Sequence, residues 1–284
     1  MRTNFSKMLS VLLLISLSLN CGKDSVTQSA QEKQAWEIDG WALVWQDEFD
    51  GSQIDRTKWG HEVNAQGGGN NELQYYTSRA ENSFVKDGVL VIRALKERYT
   101  GTEGTREYTS ARMRTFHRGD WKYGRFDIRA MLPRGQGLWP AIWMLPTDWL
   151  YGGWAASGEI DIMELVGHEP NKVHGTLHYG GEWPNNVSSG LSRTLPQGDF
   201  SNELHVFRLE WEPTEFRWYV DDQLYQTQKQ WRTQNRPYPA PFDQRFHMLL
   251  NVAVGGNWPG NPDATTLFPQ TMAVDYVRVY KRTE

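Results

Sequence analysis

Cysteine is nearly absent: of 284 residues only Cys21 carries a thiol, so no intramolecular disulfide can brace the chain and a packed core must stabilise it. Basic blocks are missing too. Thirty Lys and Arg against 34 Asp and Glu leave a formal charge of -4, without the cationic stretch that electrostatic nucleic-acid binding requires, so no nucleic-acid partner is expected. The apolar run from Met8 to Leu19 falls short of the roughly 20 residues of a membrane-spanning helix. No repeat of fixed period and no long amphipathic helical pattern occurs, which sets aside solenoids and helical bundles.

Arg2 and Lys7 precede the Met8–Leu19 run, an arrangement that reads as an export signal over residues 1–20. Leu17-Ser18-Leu19-Asn20-Cys21 resembles a lipobox, although Asn20 stands where a small residue is usual; Cys21 is then the lipidated N-terminus, or else an incidental residue after an ordinary cleaved signal. Gly22-Lys23-Asp24 resembles a surface-export signal for lipoproteins. Residues 21–40 are polar and aperiodic, as a tether would be, and the folded domain is expected over 41–284. The expectation is an exported monomer at the outer membrane or cell surface, or otherwise periplasmic or secreted. Any membrane contact would be through the lipid alone.

What the chain has in quantity is tryptophan, 14 residues, and rings suit the flat apolar faces of sugars as well as cores. From Trp41 onward, short alternating segments are separated by Gly, Pro, Asn and Asp: Val89–Ala94, Arg125–Met131, Leu138–Leu145, Glu159–Val166, Val173–Tyr179, His205–Glu212, Phe216–Val220, Arg245–Val254 and Ala273–Tyr280. Asp221-Asp222 stands where a tight hairpin turn belongs. So many strands do not fit one open sheet. The class expected is all-β, a two-sheet antiparallel β-sandwich of jelly-roll, concanavalin A-like type, with one curved face left open as a substrate groove.

The chemistry lies in Gly158-Glu159-Ile160-Asp161-Ile162-Met163-Glu164. Alternation puts Ile160 and Ile162 on one strand face and Glu159 and Asp161 on the other, which would send Glu164 into the core. An unpaired buried carboxylate costs several kcal/mol, so a β-bulge near Met163 is expected, bringing all three acids to one face. Retaining glycosidases need such a set: a carboxylate nucleophile beside a carboxylic acid whose proton is held by like-charge proximity. The residues alone do not say which glutamate attacks.

This run resembles the active-site strand of glycoside hydrolase family 16, in the bulged form typical of laminarinases. Similar family segments are Leu43 to Gly51, Asn70 to Thr77, Leu138 to Leu145, Asn251 to Trp258 and Asp275 to Tyr280, so the resemblance spans about Trp41 to Lys281. It implies Glu159 as nucleophile, Asp161 as assisting carboxylate and Glu164 as general acid/base of a retaining endo-β-1,3-glucanase that needs no catalytic cofactor. It also implies substrate contacts from Asn70, Arg112 and Trp258. A structural calcium site would be formed by Glu48, the backbone of Gly88 and Asp275.

Parity adds candidates of its own. Ile142 and Met144 suit the core, which turns Trp139 and Trp143 to the groove; likewise His178 faces it opposite Val173 and Leu177, and Asn251 opposite Leu250 and Val252. Two other readings fit the same residues: a β-glucan-binding module without chemistry, and a same-fold hydrolase of mixed-linkage glucan, agarose or carrageenan. The segments Tyr99–Glu107, Gly180–Phe200 and Gln228–Pro241 are long enough to shape the groove.

Overall fold

Residues alternating between apolar and polar bury one side chain in two, and the computed structural model shows how the chain uses this. It describes residues 38, 40–234 and 236–283; the export signal, Cys21 and nearly all of the tether lie outside the described residues. A ten-stranded and an eight-stranded sheet, almost wholly antiparallel, account for the strands, with a 3-10 turn at Gly67–Gly69 the single helical element among the described residues. Among the described strands the parallel pairing is that of Gln74–Tyr76 with Gly104–Ser110, and an isolated parallel bridge joins Gly180 to Thr233.

The inner faces meet in one apolar core. Phe126, Ile128, Leu209, Trp211, Phe216, Trp218, Val277 and Val279 from the larger sheet pack against Ile142, Met144, Ile160, Met163, Leu177, Met248 and Leu250 from the smaller. Burying a side chain of this size contributes about 1.5–3 kcal/mol, so the core carries the stability that disulfides do not supply.

The strands read from alternation are present, with ends shifted by a few residues. His205–Glu212 coincides, Val89 runs on to Gly101, and the C-terminal strand spans Gln270–Arg282. Asp221 and Asp222 do form a two-residue hairpin turn, both at positive φ (48° and 65°), joining Glu215–Val220 to Gln223–Gln228.

Two segments expected as loops are strands. Tyr99–Glu107 is the tip of a hairpin between Val89–Gly101 and Gly104–Ser110, and Gly180–Phe200 contains Val187–Thr194 at the edge of the smaller sheet. Val187–Thr194 is rich in Ser and Gly and mostly exposed, so it lacks the alternation that marks a strand with one buried face.

Candidate active site

The Glu159–Glu164 strand lies inside the eight-stranded sheet, between Leu138–Pro146 and Lys172–Tyr179. Its ladder carries the extra residue that the acids demand. Glu159 pairs with His178 and Asp161 with Thr176, yet Glu164 pairs with His174, so three steps on one strand oppose two on the other. The same slip occurs against the other neighbour, where Trp143 pairs with Asp161 and Ile142 with Met163. Ile160, Ile162 and Met163 are all buried in the core, while Glu159 and Glu164 stay partly exposed on the groove face.

Trp218 supports this bulge from across the core. Its indole N–H donates to the Asp161 carbonyl at 2.9 Å, pairing a carbonyl where the ladder is interrupted. Trp218 fits there because residue 175 is glycine: a Cβ on Gly175 would stand 2.5 Å from the indole Cδ1.

Each glutamate receives an indole donor. Trp154 Nε1 donates to Glu159 Oε2 at 2.8 Å, and Trp139 Nε1 donates to Glu164 Oε1 at 3.0 Å. His178 Nε2 stands 3.3 Å from Asp161 Oδ2 and 3.7 Å from Glu159 Oε1. Asp161 Oδ2 is buried without a hydrogen-bond partner, so its pair with His178 Nε2 is close but not aligned for a bond; the other ring nitrogen, Nδ1, is likewise buried without one.

No Lys or Arg forms an ion pair with these acids among the described residues, where the only partner of that kind is His178. Burial chiefly, and for the two glutamates also the neighbouring Asp161, pushes all three carboxyl groups up to about 8. The three titrate as a coupled group rather than residue by residue, so the group keeps a proton toward neutral pH while other members can ionise. Ligand atoms of Glu159, Asp161 and His178 all lie within 4.8 Å of one another, a spacing that a divalent cation could also occupy.

Around the acids the expected groove residues separate into exposed and supporting sets. Trp258 is 41% exposed and meets Trp139 edge-to-face at 5.5 Å and His174 at 5.0 Å, so an aromatic corner adjoins Glu164. Asn70 borders this corner: its carbonyl accepts the Asn257 N–H at 2.8 Å, and a Cβ on Gly256 would touch both that carbonyl and the Trp139 ring.

Asn251 and Arg112 sit deeper. Asn251 is buried and its Oδ1 accepts the Trp143 indole N–H at 2.7 Å. Arg112, 8% exposed, lies over the Trp143 ring at 5.3 Å and the Tyr76 ring at 4.5 Å, paired with Glu62 at 3.2 Å and Glu72 at 3.6 Å. Both brace Trp143 from below. Sequence reasoning missed Trp154, because it sits in a turn where strand parity has nothing to say.

The residues expected to hold calcium converge through register. Asp47 pairs with Val277 and Leu90 with Val274, which brings Glu48, Gly88 and Asp275 to one corner of the larger sheet. Both carboxylates have guanidinium partners there: Glu48 takes two bonds from Arg278 at 2.9 Å, and Asp275 one from Arg129 at 2.7 Å. With both carboxylates so engaged, the Glu48 side chain would reach a hard cation only if Arg278 yields.

A sandwich that sets unpaired carboxylates among tryptophans on one open sheet face defines a polysaccharide-hydrolase type of site. The sequence model of Glycosyl hydrolases family 16 matches residues 66–278, and the chain belongs to that family. Among its relatives is a β-glucanase of Rhodothermus marinus, 46% identical over 268 residues that cover 86% of each chain. Glucan endo-1,3-β-glucosidase A1 of Niallia circulans is 45% identical over 86% of this chain, which spans only 38% of that longer protein. The laminarinase catalytic domain of Thermotoga maritima superposes with a TM-score of 0.77 at 45% identity, covering 86% of this chain and 99% of that one.

Proposed function

We propose that the protein is an endo-acting β-1,3-glucanase that hydrolyses laminarin-type glucan with retention of configuration. The observation that carries the reading is the bulged strand, which brings Glu159, Asp161 and Glu164 to one open face with indole donors on both glutamates and no cationic neutraliser. The named activities of the relatives support the linkage.

In this reading Glu159, ionised with the help of the Trp154 N–H and His178, attacks the anomeric carbon. Glu164 gives its proton to the leaving oxygen; the negative field of Asp161 helps it keep that proton until then. Water then opens the glycosyl-enzyme ester while Glu164 takes a proton back. Asp161, 3.3 Å from His178, shares a hydrogen bond with the nucleophile as it reacts and spreads its charge.

The test is a product time course on laminarin, mixed-linkage glucan and agarose, with NMR of the first anomer formed and Glu159→Gln as control. A β-anomeric ladder from laminarin, absent in the control, is expected. Release from agarose alone would replace the substrate, and binding without release would favour a module that has lost its chemistry.

We infer further that the protein is exported and tethered through lipid on Cys21, on the strength of the Arg2–Leu19 signal pattern and the lipobox-like Leu17 to Cys21, with a monomer as the default for a tethered polysaccharide hydrolase. Labelled palmitate should enter the wild type and not Cys21→Ser. Calcium at the Asp275–Gly88–Glu48 corner would tie the C-terminal strand to its two neighbours. Chelation is then expected to lower the melting temperature by a few degrees and leave activity at 25 °C intact; an unchanged melt counts against the ion.

A further inference from the structure

The groove face has unequal halves. On one side of the acid strand stand Trp139, Trp143 and Trp258. On the other, Ser188, Gly190 and Ser192 of the edge strand lie opposite His178, Thr176 and His174. Gly190 has no room to be larger, since a Cβ there would fall 2.5 Å from the Gly175 carbonyl oxygen and 2.8 Å from Thr176 Oγ1. No ring of these two strands other than the histidines faces the groove. A glucan chain crossing this half would find hydroxyls and bare backbone.

One ring is nevertheless presented beside it. The turn of residues 180–186, which joins the two strands, begins two residues past His178, at the Glu159 end. It carries Trp183, 73% exposed and, among the described residues, far more open than the other exposed tryptophans, Trp149 at 38% and Trp258 at 41%. The turn is fixed to the catalytic wall by three bonds: Trp183 N–H to the Trp154 carbonyl at 2.9 Å, Ala155 N–H to the Gly181 carbonyl at 3.2 Å, and Gly153 N–H to Glu182 Oε1 at 2.6 Å. The same Trp154 donates to Glu159.

An indole left in water gains nothing in packing, and a single exposed ring on a loose loop would need no explanation. Here the backbone is locked to the residue that bonds Glu159, so the ring is carried at a fixed point of the rim and only its own side-chain torsions remain to be ordered on binding. We propose that Trp183 is the sugar platform of the tryptophan-poor half, stacking on a glucosyl unit of the chain beyond the cleavage point and so setting affinity for polymer and the length of the products. The assignment deepens the β-glucanase reading and rests on it.

The experiment compares wild type, Trp183→Phe and Trp183→Ala on laminarin, measuring KM, kcat and the product ladder. Loss of one stacked ring is expected to raise KM about fivefold in the alanine variant, with a shift toward longer products, while phenylalanine restores most of the affinity. The side chain is exposed, and thermal melts of both variants verify folding. Wild-type hydrolysis of laminarin with an unchanged KM and ladder in Trp183→Ala overturns the platform alone. No sugar released by the wild type overturns the substrate reading and the platform with it.

Discussion

On the outer face of the larger sheet, Asp127 is 5% exposed and is gripped by two guanidinium groups, Arg125 at 2.9 and 2.7 Å and Arg208 at 2.9 and 3.3 Å. On the groove face of the smaller sheet, Asp161 is 2% exposed, and the nearest basic group is a histidine ring 3.3 Å away and off the bonding axis. The same residue type, about equally buried, is held by two guanidinium groups in one place and has none in the other. The paired carboxylate braces the fold; the one without a cation leaves the fold less stable, a cost that the proposed proton-transfer role of its strand would explain.

Removing the reactive charge should break that contrast most visibly. Glu159→Gln is expected to lower kcat on laminarin by at least about a thousandfold while binding persists, measured by reducing-sugar release and affinity electrophoresis. Next in size is the paired side. Asp127→Asn removes the carboxylate that Arg125 and Arg208 share, leaving Arg208 its Asp222 partner at 2.6 Å and Arg125 only Glu210 at 3.9 Å, and urea unfolding should show a loss of about 2 kcal/mol, with specific activity at 25 °C unchanged. A drop in activity instead would mean that the outer network reaches the site.

The stability effect at Glu159 runs the opposite way. Its folded carboxyl is raised to about 8 from an ordinary 4.5, so between those values the native state binds a proton that the unfolded chain has released. Its contribution to stability therefore falls as pH rises through that window and is neutral below it. Glu159→Gln should melt like the wild type at pH 4 and above it at pH 8. A gain on the order of 1–2 kcal/mol is expected, less than full burial would give because the side chain keeps 14% exposure. Equal melts at pH 8 would show the carboxylate already neutralised.

The finest test concerns the indole donors. Trp154→Phe removes the N–H that favours the ionised nucleophile, so the acidic limb of the kcat/KM profile should move to higher pH, by about half a unit to one unit. Movement of the alkaline limb instead would assign the donor's effect to the proton-holding partner.

How far these features could be read in advance depended on the range of the interaction. The bulge at Ile162-Met163 follows from one strand, because only an extra residue keeps Glu164 out of the core. Trp139 and Trp143 follow from parity. Trp154, Trp183 and the Gly175–Trp218 fit do not, since each depends on what a distant segment places beside it. Arg112 and Asn251 were assigned substrate contacts, and what the fold adds is their position below Trp143, fixed by Glu62, Glu72 and the indole N–H.

The sequence by itself determined the all-β class, the core face of each alternating strand and the three acids on one face, because period, volume and the cost of burying charge act within a few residues. Only the tertiary structure decided which acids lack a cation, which rings stand beside each glutamate, and that the strands of one half of the groove carry tryptophan while those of the other carry Ser, Gly, Thr and His, with Trp154 and Trp183 in the adjoining turns. Those depend on strand order and register, through which residues far apart in the chain come within hydrogen-bond distance.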